Sequence, residues 1–323
     1  MTNATTTLTL DADRLRAAVV RLIGADVHDL TPLGSGAWSR AFGFTSGGRS
    51  LVVRVGQHVD DFERDRLAAA FANETLPIPQ VLAIGAIPEL GEGLFACIST
   101  RAAGIFIDGL DETGMRELLP SVLATFDALR AADLSATTGY GGWDVSGNAP
   151  FPTWRDALLD VTVDHPEGRG HGWLRKLENS PEGIATWAVL RARLESALDA
   201  IEAANGMVGR HLIHSDMLNF NVFCDPERHR ISALIDWGCA MTGDMLYDLA
   251  WWAYWQPWYP AWKHIDFMAA MRDHLATSGI PTPAFDDRLR ACMLHIALGD
   301  LAYSASIDRW HDLNMKIDRA LRV

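Results

Sequence analysis

Between His214 and Trp237 the chain sets three oxygen-bearing side chains at spacings that leave few arrangements open to it. The run His214-Ser215-Asp216-Met217-Leu218-Asn219-Phe220-Asn221 carries Asp216 and Asn221 on one short segment. Two apolar runs follow, Asn221 to Cys224 and Ile231 to Ile235, parted by Asp225-Pro226-Glu227-Arg228-His229-Arg230. Proline and charge in that gap read as a turn, so the runs are expected to pair as a β-hairpin. Pairing brings the chain back on itself and sets Asp236, in Ile235-Asp236-Trp237, beside Asn221.

These are parts that phosphoryl transfer requires. The reaction is catalysed chiefly by positioning and charge neutralisation, with a carboxylate to receive the acceptor hydroxyl's proton and metal ions to bridge the phosphates. Asp216 is placed to orient and deprotonate a hydroxyl. The amide oxygen of Asn221 and the carboxylate of Asp236 are hard ligands of the kind Mg²⁺ prefers. His214 is expected to organise the loop by hydrogen bonding rather than to move protons.

Around this motif the sequence reads as α+β. A helix starting at Asp11 or Asp13 carries Leu15, Val19, Val20 and Leu22 on one face. Leu33 to Phe44 and Arg49 to Val55 read as strands joined through Ser46-Gly47-Gly48. A helix from Asp60 to Phe71 and strands at Val81–Ile87 and Leu94–Thr100 complete a small β-rich lobe, residues 1–100. Helical periods dominate residues 101–323, at Glu112–Ala131, Trp154–Val161, Ala185–Ala204, Asp244–Trp255 and three later segments. The second lobe therefore holds the hairpin and the catalytic loop.

Composition narrows the partners. With 41 acidic and 28 basic residues the formal charge is −13, and no basic stripe of the nucleic-acid-binding kind is present. Cys97, Cys224, Cys239 and Cys292 are isolated, which suits reduced and mostly buried thiols. Residues 1–10 lack a signal-peptide pattern, and Pro257 and Pro260 interrupt the most apolar stretch, so a cytoplasmic, membrane-free monomer is expected.

The motif set resembles that of the aminoglycoside phosphotransferases, small-molecule kinases related in fold to protein kinases. The likeness runs from about Pro32 to about Tyr303 through Ser39-Arg40-Ala41-Phe42, Val53-Arg54-Val55, Leu76-Pro77-Ile78-Pro79, Ala132-Asp133-Leu134-Ser135, Thr153-Trp154-Arg155-Asp156 and Arg210-His211-Leu212. Arg54 and Trp255-Gln256-Pro257-Trp258 resemble the branch that acts on hygromycin B. What the resemblance implies is a protein-kinase-like bilobal fold and ATP- and Mg²⁺-dependent phosphorylation of a hydroxyl on a cationic aminocyclitol antibiotic. Asp216 would be the catalytic carboxylate, with Asn221 and Asp236 as the metal ligands.

For the nucleotide, backbone N–H groups of Gly34-Ser35-Gly36-Ala37-Trp38-Ser39 are expected to cover phosphates. Arg54 stands where protein kinases place a lysine. Its ion-pair partner is expected to be Asp65, with Glu63 the rival because sequence does not fix the helix phase. Ala96-Cys97-Ile98-Ser99 is expected to join the lobes and offer backbone groups to the purine, so Cys97 and Ser99 enter the site. For the acceptor, Trp237, Trp255 and Trp258 are expected beside Asp216, out of a Trp-rich group that also holds Trp251, Trp252 and Trp262. Asp244 reads as a helix cap, Asp248 as structural, and Asp300 and Asp308 as residues that could wall the cleft. The likeness is poorest over Asp160–Ile184, and Met217 to Phe220 are bulkier than the small residues expected there. Two other readings stand beside this one: a kinase for a metabolic alcohol such as choline, homoserine or a sugar, and a non-catalytic nucleotide-binding homologue.

Overall fold

A computed structural model describes residues 11–204, 206, 208–310 and 313–323. The segment in which no signal peptide was expected, residues 1–10, lies outside them. Helix α1 (Ala12–Ile23) is capped by Asp11, whose carboxylate accepts from the Asp13 and Arg14 N–H groups. Strands β1 (His28–Ser35), β2 (Ser39–Ser46), β3 (Arg49–Gly56), β4 (Val81–Ala86) and β5 (Phe95–Thr100) form an antiparallel sheet in the order β1-β2-β3-β5-β4. Between β3 and β4 runs α2 (Val59–Ala68), extended by a 3₁₀ turn at Ala69–Phe71. The stretch Leu33 to Phe44, expected as one strand, is split between β1 and β2. The chain reverses there, with the Gly36 N–H donating to the Ser39 carbonyl at 2.9 Å.

Period-two alternation divides the labour of this sheet. Leu51, Val53 and Val55 on β3, with Ala96 and Ile98 on β5, pack with Leu15, Ala18 and Val19 of α1 in one buried cluster. The intervening residues Val52 and Arg54, with Cys97 and Ser99, turn to the opposite face and line a cleft. Register pairs Arg54 with Cys97 and Val52 with Ser99, so the cleft wall is built from cross-strand neighbours.

Beyond the sheet come β6 (Ile105–Phe106), α3 (Glu112–Ala131), β7 (Gly141–Gly142), α4 (Trp154–Leu159), α5 (Trp173–Leu177) and α6 (Pro181–Ala203). They are followed by β8 (His211–Ile213), β9 (Val222–Asp225), β10 (Arg230–Leu234), β11 (Met241–Gly243), α7 (Tyr247–Trp255), α8 (Phe267–Thr277), α9 (Phe285–Ser306) and α10 (Leu313–Leu321). The expected hairpin is present: β9 and β10 pair antiparallel, and β6 adds to β9. Residues 162–184, for which no element was foreseen, contain α5, whose Trp173 and Leu177 are buried in the second and larger core. All four cysteines are free, and three are buried; Cys239 is exposed. Among the described residues no helix is long and apolar enough to cross a membrane.

Asp244 has a larger role than the cap expected of it. Helix α7 begins at Tyr247, and Asp244 accepts from the Leu246 N–H at 3.0 Å. Its main partner is Arg288 of α9, which donates through Nε at 2.8 Å and Nη2 at 2.6 Å. Both side chains are out of water. Breaking one partner of such a pair leaves an uncompensated buried charge. Asp244→Ala is therefore expected to cost about 3–5 kcal/mol in denaturant unfolding, and Asp244→Leu with Arg288→Met markedly less.

Candidate active site

The catalytic-loop motif is held from beneath by one buried carboxylate. Asp248 of α7 accepts from the backbone N–H groups of His214 at 3.0 Å and Ser215 at 2.8 Å. Burial pushes its carboxyl up to about 7, against the downward pull of those two donors. His214 is fully buried, and burial lowers its imidazole to about 4, so the ring is neutral. Its Nε2 hydrogen bonds to the Ile235 carbonyl at 2.9 Å, and its Nδ1 accepts from the Asp216 N–H at 3.2 Å. The expected organising role of His214 is what the geometry shows: it ties the loop to the far end of the hairpin.

Two amides bracket the Asp216 carboxylate. Asn219 Nδ2 donates to Oδ1 at 2.8 Å, and Asn221 Nδ2 donates to Oδ2 at 2.9 Å. Burial and the nearby charge of Asp236 push this carboxyl up to about 8, while the two amides pull it down. The Asn221 amide also donates to the Asp216 carbonyl at 3.0 Å, so its own oxygen is turned away from Asp216. Backbone pairing of the Ile235 N–H with the Asn221 carbonyl at 2.9 Å brings Asp236 to the same end. Asp236 adopts a left-handed backbone (φ 64°), and its side chain is half exposed to the cleft. Met217 and Leu218 are buried under the loop, which accounts for their bulk, whereas Phe220 is 61 % exposed.

On the sheet side Arg54 pairs with Asp65, and its other nitrogen Nη1 lies 3.3 Å from Asp236 Oδ1. The second oxygen of Asp65 accepts the Trp237 N–H at 2.8 Å. Helix phase decides against Glu63: Phe62, Asp65 and Ala68 share the buried face of α2, and Glu63 pairs with Arg66 one turn on along the same helix. One carboxylate thus fastens sheet, helix and hairpin together. The glycine-rich turn closes over this region. A Cβ on Gly56 would come within 2.8 Å of the Trp38 carbonyl, so only glycine lets the turn lie so close to β3.

The cleft between sheet and hairpin has a volume of about 330 Å³. Gly34, Arg54, Asp65, Cys97, Ser99 and Asp236 line it, together with Ile78, Phe106, Phe223 and Leu234, for which sequence suggested no place in a site. Ser35 and Gly36 stand at the turn above, Gly36 over the adjoining recess beneath Trp38. The segment Ala96–Ser99 does not join the two halves. It lies within β5, where its backbone is committed to the ladders with β3 and β4, and Arg101–Gly104 makes the connection.

A second cavity, of about 350 Å³, opens beside the catalytic loop and is walled by Asp108, Asn219, Phe220, Trp255, Trp258, Tyr259 and Trp262. Trp255 and Trp258 thus wall this cavity with Asn219 and Phe220 of the loop. Trp237 is not among its walls: it is fully buried, its ring 4.5 Å from that of His214, so no acceptor can reach its face. Trp252 is likewise core. Asp300 is buried against Lys316 and Asp308 pairs with Lys176 at the surface, and neither lines either cavity. Sequence also gave no sign of Arg169, which reaches from the loop before α5 to Asp60 at 2.7 Å and Asp61 at 2.8 Å on α2.

Comparisons agree with this geometry. The sequence model of the phosphotransferase enzyme family (APH) matches residues 29–264. A hygromycin-B 4-O-kinase from Escherichia coli is 36 % identical over 285 residues, covering 87 % of this chain and 76 % of the relative. A thermostable mutant of aminoglycoside phosphotransferase APH(4)-Ia, solved in ternary complex with AMP-PNP and hygromycin B, superposes with a TM-score of 0.75 at 33 % identity, over 95 % of this chain and 96 % of that one. An aminoglycoside-3'-phosphotransferase of type VIII, at 18 % identity and a TM-score of 0.54 over 88 % and 97 % of the chains, shares the fold. With both the family match and the extended identity in hand, the chain belongs to the phosphotransferase enzyme (APH) family.

Proposed function

We propose that this protein transfers the γ-phosphate of ATP to a hydroxyl of hygromycin B or a close aminocyclitol relative, as a cytoplasmic monomer that confers resistance. The observation that carries this reading is the Asp216 carboxylate, gripped by the amide of Asn219, which walls the aromatic cavity, and by that of Asn221, with Asp236 of the neighbouring cleft near enough to raise it. Support for the acceptor comes from the relative that is a hygromycin-B 4-O-kinase and from the similar structure that holds AMP-PNP and hygromycin B.

In this reading the residues up to about 100 form the nucleotide lobe and residues 101–323 the acceptor lobe. The purine lies between Val52, Ile78 and Leu234, with Cys97 and Ser99 as wall rather than as backbone donors. N–H groups of Gly34, Ser35 and Gly36 cover the phosphates, and Arg54 adds a fixed charge. The Asn221 amide oxygen and the half-exposed Asp236 carboxylate offer a pair of hard oxygens, which fits Mg²⁺. When bound, that ion would neutralise charge on the phosphates. Asp216 orients the acceptor hydroxyl and receives its proton as the new O–P bond forms and the bond from the γ-phosphorus to the β,γ-bridging oxygen breaks, with ADP leaving; burial raises the proton affinity of its carboxylate. Trp255 and Trp258 offer faces to the sugar rings. The net charge of −13 favours capture of a polycation.

Release of ADP is expected to rise on adding hygromycin B and not on adding choline, homoserine or a simple sugar; the reverse pattern would assign the protein to metabolic-alcohol phosphorylation. Asp216→Ala is expected to lower kcat by about 10²–10⁴-fold while ATP binding, followed by calorimetry, is retained. For Arg54→Ala the expected change is a KM for ATP raised about 10-fold or more, from the lost charge-assisted contacts, read from steady-state kinetics.

A further inference from the structure

Two successive residues of the catalytic loop are left-handed, Asn219 at φ 58° and Phe220 at φ 67°. Asparagine adopts this conformation readily; for phenylalanine it costs on the order of 1–3 kcal/mol and must be imposed by the surroundings. Asp108, on the turn Ile107–Gly109 that follows β6, imposes it. Its Oδ2 accepts the Phe220 N–H at 3.1 Å, and its Oδ1 accepts the Tyr259 hydroxyl at 2.9 Å. The same hydroxyl accepts the Asn219 N–H at 3.2 Å. Consecutive backbone donors are therefore gripped by a hydroxyl and a carboxylate that are bonded to each other. One bond further, Asn219 Nδ2 reaches Asp216 Oδ1 at 2.8 Å, the oxygen that Asn221 does not hold.

We propose that Asp108 and Tyr259 are positioning residues for phosphoryl transfer, a clamp that sets the Asp216 carboxylate by fixing the backbone from which Asn219 grips it. The proposal rests on the function proposed above and adds a second point of control over Asp216. His214 and Asp248 fix the loop from below; this clamp fixes its outer turn from the side. Asp108 belongs to the connection that leads out of the sheet, and Tyr259 to the turn after α7, so the carboxylate is aligned only when both elements are seated. Tyr259 is itself seated by stacking on Trp262, with centroids 4.4 Å apart and planes within 5°.

The test is a double-mutant cycle of Tyr259→Phe and Asn219→Ala in the full-length protein, with thermal unfolding as a folding control. Tyr259→Phe deletes only the hydroxyl and keeps the stacked ring. Expected is a kcat for hygromycin B phosphorylation about 10- to 100-fold lower, the scale on which misplacement of a reacting group acts. KM for ATP and for hygromycin B should each stay within about two-fold, since the reacting group and not the binding walls is displaced. Asn219→Ala should give a similar loss, and the double variant should be little worse than either, because both act through one carboxylate. A raised KM for hygromycin B with unchanged kcat would make Tyr259 an acceptor contact and overturn the proposal, as would additive losses. If the wild-type protein leaves hygromycin B unphosphorylated, the acceptor reading fails on its own. The cycle is then read on acceptor-free ATP hydrolysis, where non-additive losses uphold the clamp and additive or absent losses remove it.

Discussion

Asp65 is the residue on which the assembly of the site turns. It is a buried carboxylate on a helix, and it neutralises Arg54 with one oxygen while accepting the Trp237 N–H with the other. Desolvating an arginine and an aspartate together is costly, and the cost is offset only when the remaining donors and acceptors are also satisfied. Here the remaining acceptor is satisfied by the backbone that follows Asp236. The sheet, α2 and the hairpin therefore come into register together, because no two of them complete the set alone.

The hairpin transmits that registration to the catalytic loop. His214 reads the position of Ile235 through its ring, and Asp248 reads the backbone of His214 and Ser215. Several of these groups are in conformations an isolated chain would avoid: Ser215, Asn219, Phe220 and Asp236 all have positive φ. Strain of this kind persists where surrounding contacts over-determine the backbone. Each of the four residues is met by such a contact, from Asp248, Tyr259, Asp108 and Arg54 respectively.

Much of this was legible before any coordinates. The alternation in Leu51-Val52-Val53-Arg54-Val55 already separates a core face from a polar one, and the spacing of Asp216, Asn221 and Asp236 already implies a hairpin. What escaped the sequence did so for physical reasons. A strand of two or three residues, such as β6 or β11, has no period to detect. Trp237 and Trp255 are the same residue type on equally apolar segments, and only packing decides that one is sealed under the loop while the other faces a cavity. Asp244 looks like a cap because caps are local, whereas its partner Arg288 lies on another helix. The choice between Asp65 and Glu63 needed the rotation of one helix about its axis, which a short segment with a weakly apolar face does not reveal.

The Arg169 contacts have a bearing on how the protein meets its nucleotide. Arg169 and Arg64 both grip the acidic first turn of α2, and Arg64 also donates to the carbonyls of Trp143 and Gly238. The helix that carries Asp65 is thus moored to the larger half of the molecule at its start as well as at its middle. A helix so moored has little rotational freedom left to surrender, and the entropic toll of organising a binding site falls on folding rather than on each encounter. The mooring is partly open to solvent, so its strength follows ionic strength. The rigidity of the cleft is in that sense a property of the medium as well as of the chain.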